Sequence, residues 1–268
     1  MKTEIEENNC PNCNNPIIDN FCSNCGQRKY KRIDRKYILE ELQYVILHTN
    51  KGLFYSLKKI IKNPGKTARE FVDGNRVNHY KPILLVFLLS GIAAFLSFVV
   101  IDLHGIMKEI YSQKGTYSDF MQDIFSLFSS FFSFIMLLFI PVLAFFTKIV
   151  FRKWGHNYYE HVIMNAYFIS FFTVLEILFY PVLYLFKDNI DIFMSISYIP
   201  NISIPFVLIW FYKGFYKDKS LKSIILKVLL LFILLFIGFI FLIIVITFLL
   251  FSILGQEATM LYLNVEAP

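Results

Sequence analysis

The sequence predicts an all-α integral membrane protein: a five-helix transmembrane bundle preceded by a small N-terminal zinc ribbon and amphipathic cytoplasmic helices. Three observations lead there. The 268 residues are 56% hydrophobic and 17% charged, with a mean hydropathy of +0.55; a soluble domain holds more charge, about 25%, and less apolar surface. Five apolar runs are each long enough to cross ~30 Å of hydrocarbon. All four cysteines fall within the first 25 residues, as two matched pairs. An ordinary soluble enzyme and a disordered chain are both excluded by this composition.

Taken in order, residues 1–30 read as the zinc-ribbon-like segment. Cys10-Pro-Asn-Cys13 is followed, after eight intervening residues, by Cys22-Ser-Asn-Cys25-Gly26. Two C-x2-C turns each aim a pair of sulfurs at one point, and four thiolates close a tetrahedral Zn²⁺ site. Such a site leaves no open coordination position, so the zinc is structural. A redox dithiol is the rival, but it needs one pair, not two. Clustered cysteines also argue against a secreted disulfide framework, and the first 20 residues carry no signal-peptide core. Pro16 and Phe21 are expected to stiffen the short loop between the pairs.

Residues 31–81 read as a basic, amphipathic linker. The run Arg28-Lys-Tyr-Lys-Arg-Ile-Asp-Arg-Lys36 suits anionic lipid headgroups; nucleic acid is the disfavoured partner, given the spans downstream. Two short amphipathic helices follow, at 34–48 and 51–62. The second sets Leu53, Leu57, Ile60 and Ile61 against Lys51, Lys58, Lys59 and Lys62, which suits either the membrane surface or the end of the bundle. Asn63-Pro64-Gly65 turns the chain, Thr67-Ala-Arg-Glu70 has the capping-box pattern, and Gly74 is a stop signal.

Residues 82–268 contain the spans, placed at 82–101, 124–147, 162–186, 192–212 and 224–254. The Lys/Arg counts of the connecting segments test this division. Residues 1–81 hold 15, 102–123 hold 2, 148–161 hold 3, 187–191 hold 1 and 213–223 hold 4, while the tail after 254 holds none. Rich and poor segments alternate, which predicts a multi-pass inner-membrane protein with its N-terminus cytoplasmic and its C-terminus periplasmic.

The FCxxCGQ ribbon, the stretch KGLFYSLKKIIKNPGKTAREFVDGNRVNHYKP and the hydrophobic remainder resemble domain-of-unknown-function family 3667 of bacterial membrane proteins. The resemblance implies an integral membrane protein with an N-terminal zinc-ribbon-like segment. It implies no activity, substrate or catalytic residue.

Polar groups within the spans complete the inventory. Cys10, Cys13, Cys22 and Cys25 are the metal-ligand candidates. Glu176 is the only acid deep in a span, where an ionisable group is costly; it reads as a proton or cation site, or as a carboxyl bonded to a neighbour such as Tyr180. Glu160 and His161 gather at the start of the third span. They read as an interfacial site or as solvated helix-end residues. His48 and His79 are expected to be surface or packing residues. Ser90, Gly91, Ala93, Ala94 and Ser97 form a small-residue patch suited to close helix packing or to a homo-oligomer. No nucleotide-binding, metalloprotease or hydrolase motif is present, which argues against an enzyme. The leading expectation is a membrane anchor carrying a ribbon that docks a cytoplasmic protein partner. The alternatives are a small transporter or channel with Glu176 in its path, and a membrane-embedded enzyme using Glu160, His161 and Glu176.

Overall fold

The computed structural model describes residues 9–29, 33–35, 37–38, 52–113 and 119–254. The helix expected over 34–48 lies outside the described residues beyond Ile38, as do His48, residues 30–32 and 36 of the basic run, and the C-terminal tail.

Among the described residues eight α-helices are bounded after the cysteine pairs: α1 Leu53–Lys62, α2 Pro64–Val72, α3 Pro82–Ala94, α4 Leu103–Gln113, α5 Asp119–Phe151, α6 Tyr158–Leu185, α7 Ile190–Phe215 and α8 Leu221–Leu254. Five are long and apolar enough to cross a membrane: α3 with its π-helical extension, α5, α6, α7 and α8. Each can span because an α-helix satisfies its own backbone, which lipid cannot do.

Helix α6 is the axis of the bundle. It packs against α1, α2, α3, α5 and α7, and 67% of its most apolar window is buried, against 6% for α8. Its buried positions run without a break from Glu160 to Phe171. By contrast α8 turns Ile233, Phe236, Phe239 and Phe241 outward, a face suited to lipid rather than water. The small-residue patch of α3 serves the interior: Ser90, Ala93 and Ser97 are buried within the chain.

Helix α3 continues as a π-helix over Phe95–Val100. The 102–123 segment, expected as a loop, contains α4. Asp102 opens that helix, its Oδ1 accepting from the Gly105 N–H at 3.2 Å. Leu103, Ile106 and Met107 then join Ile101, Leu183 and Phe193 in a separate small core at this end.

At the opposite end, α1 and α2 pack against the bundle. Of the apolar stripe expected on α1, Ile60 is buried and Leu53 and Leu57 pack on the core, whereas Ile61 faces out. The capping box expected at Thr67–Glu70 does not form. The helix starts four residues earlier because Pro64 suits the first helical position and Asn63 caps it, accepting from Lys66 N–H at 2.8 Å. The Thr67 hydroxyl instead donates back to the Asn63 carbonyl at 2.8 Å. Helix α2 lies against α6 and α7. Its backbone meets that of α7 so closely that a Cβ on Gly65 would overlap the Phe211 carbonyl, and one on Gly214 would stand 2.6 Å from Asn63 Oδ1.

Candidate metal centre

Each cysteine pair closes on itself in the same way. Cys10 N–H donates to Asn15 O at 2.7 Å and Asn14 N–H to Cys10 O at 2.8 Å; twelve residues on, Cys22 N–H donates to Gln27 O at 2.7 Å and Gly26 N–H to Cys22 O at 2.9 Å. Antiparallel bridges Asn9–Pro16 and Phe21–Arg28 complete the two turns. Asn14 and Gly26 hold the same left-handed place, at φ 62° and 71°, conformations that Asn and Gly adopt at least cost. This twelve-residue repeat is visible in the sequence once the two turns are aligned on their cysteines.

The repeat brings the four Sγ atoms within 4.8 Å of one another. Cys10 and Cys25 are 3.5 Å apart, as are Cys13 and Cys22, and none is in a disulfide. A tetrahedron of sulfurs 2.3 Å from an ion has edges of ~3.8 Å, so the donor set fits one tetrahedral metal. The backbone N–H of Asn15, bonded to Cys13, pulls its thiol down to about 6. Burial pushes Cys10 up to about 11, a penalty that a dication beside the sulfur reverses. The apolar support is Ile17, buried against Cys10 and Cys22. Phe21, expected in that role, is 59% exposed.

The residue after Gly26 ties this unit to the bundle. Gln27 is 3% exposed. Its Nε2 donates to Gly74 O at 2.7 Å, and its Oε1 accepts from Val77 N–H at 2.9 Å and Arg76 N–H at 3.2 Å. Arg76 in turn lies over the rings of Tyr37 and Phe71. A second tie runs from Asn157 Nδ2 to Ile33 O at 2.9 Å. The cysteine unit, the α5–α6 turn and the α7–α8 turn therefore share one end of the molecule.

The intramembrane candidates separate. Glu160, 4% exposed, completes a capping box: its Oε2 accepts from Asn157 N–H at 2.7 Å while Asn157 Oδ1 accepts from Glu160 N–H at 2.9 Å. His161 Nδ1 lies 3.1 Å from Thr147 Oγ1, which also accepts from Asn165 Nδ2 at 2.9 Å. Glu176 is sixteen residues further along α6, about 24 Å at 1.5 Å per residue. The three do not line one pocket. Glu176 is half-buried, one turn before Tyr180.

His79 is a packing residue. It is 4% exposed, has Tyr55, Phe71 and Tyr167 edge-on around it, and its Nδ1 is 3.4 Å from the Tyr167 hydroxyl. Burial, with Lys59 nearby, lowers it to about 4.

Residues 50–94 match the family model described as protein of unknown function (DUF3667). No curated protein and no solved structure matches the chain. The matched residues, 50–94, take in α1, α2, the loop that Gln27 grips and all of α3. They supply Gly65 at the α7 crossing and Gly74, Arg76 and Val77 to the Gln27 contact, so they are the joint between the cysteine unit and the spans.

Proposed function

We propose that the chain is a non-enzymatic bacterial inner-membrane protein. A cytoplasmic zinc ribbon formed by Cys10, Cys13, Cys22 and Cys25 serves as its docking or regulatory module for a protein partner, and the five helices serve as anchor. One observation carries this reading: the cysteine unit is tied to the bundle through Gln27 while Ile18, 91% exposed, and Phe21 face outward. Two large apolar side chains in water offer a partner surface to bury. The cytoplasmic placement rests on the Lys/Arg alternation, and a reducing compartment keeps the thiolates available for metal.

The test is affinity capture from membranes using the wild type, Cys22→Ser/Cys25→Ser and Ile18→Ser/Phe21→Ser. The expected result is one set of proteins lost from both variants while each variant remains in the membrane. Identical recovery from all three would overturn the docking role.

A further inference from the structure

A cleft opens at the cysteine-bearing end, where three elements meet. Its walls are Arg69 of α2, Trp154 and His156 of the α5–α6 turn, and Tyr216, Asp218 and Lys219 of the α7–α8 turn. Gly155 lies between the two turn residues at φ +90°, with nothing within 4 Å of where a Cβ would stand. The cleft is therefore open on that side.

Its electrostatics are lopsided. Arg69 and Lys219 face Asp218, and Arg69 also carries Asp73 on its outer side. Arg69 Nε is paired with Asp73 at 2.6 Å and Nη1 lies 3.2 Å from His156 Nε2, which together engage two of the five guanidinium N–H groups. Three more ammonium groups stand directly behind the walls. Lys148 Nζ donates to the His156 carbonyl. Lys213 Nζ donates to the carbonyls of Lys217 and Lys219 at 2.8 Å each. Lys227 Nζ donates to the Val150 carbonyl and lies over the Trp154 ring at 5.0 Å. These contacts consume carbonyl oxygens and leave the positive charge at the cleft.

The cleft also borders an incomplete hydrogen bond. The Tyr216 hydroxyl is buried and has no partner among the described residues. A buried polar atom in that state is costly and calls for a water or a ligand atom. Burial pushes this phenol well above its ordinary range, so it stays protonated and able to donate.

We propose that the cleft binds a phosphate-bearing ligand, with Arg69 and Lys219 as its cationic donors and the Tyr216 hydroxyl completing the shell. A phosphate accepts several charge-assisted hydrogen bonds at once. The turns that form the cleft join spanning helices, the depth at which lipid headgroups lie. A lipid phosphodiester and free phosphate share this chemistry.

The test uses the full chain in detergent and in nanodiscs. Retained phospholipid is read by native mass spectrometry, with phosphatidylglycerol or phosphatidylcholine nanodiscs as sources, and inorganic phosphate is titrated calorimetrically. The variants are Lys219→Gln, at an exposed position, and Tyr216→Phe, which removes only the hydroxyl. Each is expected to weaken binding about tenfold, the worth of one good charged or buried hydrogen bond, with an unchanged melting temperature for Lys219→Gln. Binding from lipid alone identifies a headgroup; binding of inorganic phosphate identifies a soluble ligand. Neither probe binding, or both variants binding as the wild type does, would overturn the proposal.

Discussion

Gln27 and Gly74, 47 residues apart, are joined by a buried 2.7 Å hydrogen bond from the Gln27 side-chain amide to the Gly74 carbonyl. The same amide oxygen holds the N–H groups of Arg76 and Val77. One side chain therefore fastens the cysteine unit to the loop that leads into the first span.

Gln27→Ala leaves three backbone groups of that loop without their partner. The Gly74 carbonyl, whose bond is buried, costs ~1–3 kcal/mol when unpaired. The half-exposed Arg76 and Val77 N–H groups cost less because water reaches them. The cysteine unit is expected to hold its metal but to detach. Amide hydrogen exchange at 74–77 should rise well above that of the wild type; unchanged protection would contradict the tie.

Gly65→Ala pushes a methyl group into the Phe211 carbonyl, a backbone atom that cannot rotate away. A loss of ~1–3 kcal/mol or more is expected. Gly91→Ala is the control, since its added Cβ would meet Ser133 Oγ at an ordinary 3.7 Å. Thermal melting in detergent should separate the two variants, and equal midpoints would refute the close crossing of α2 and α7.

Metal analysis of the purified full chain should find about one zinc per chain, the count that one four-thiolate site holds. Cys22→Ser/Cys25→Ser should find none. Chelation should raise exchange at 74–77 as Gln27→Ala does, because metal and fold are linked. Zinc absent from the wild type, prepared without chelator, would remove the metal assignment.

His79 makes stability depend on pH with a definite sign. In the fold it takes up a proton only near about 4, held down first by burial and then by Lys59, whereas its ordinary value is 6.5. The unfolded chain binds that proton first as pH falls. The contribution is complete above about 6.5 and is lost progressively down to about 4, up to ~3 kcal/mol in total. His79→Phe should flatten this part of the melting-temperature profile; a wild type that is already flat there would show the imidazole to be hydrated.

Topology has a direct reading. Reporters fused at Asp218 and beyond Leu254 should lie on opposite sides of the membrane, with Asp218 on the side rich in Lys and Arg. Both on one side would remove α8 as a span.

Several features were legible in the residues alone. C-x2-C spacing is a local property, and so is an apolar run; each acts within a few turns of chain, and the five helices and the cysteine cluster follow from them. Residues whose role depends on a distant partner were not legible. Gln27 looks like any polar residue after a turn until Gly74 is beside it. Gly65 reads as a turn signal until the α7 backbone crosses it. Glu160 looks available for chemistry until Asn157 closes the capping box. The Thr67 cap failed because Pro64 and Asn63 start the helix earlier.

By itself, then, the sequence determined which segments leave water and which residues gather sulfur, because transfer free energy and ligand spacing are summed along the chain. Only the tertiary structure decided how the cysteine unit sits on the bundle, that α6 is its axis, and where a cationic cleft forms. Those depend on contacts between segments far apart in sequence, and hydrogen-bond partners and backbone clearances do not exist until the chain has folded.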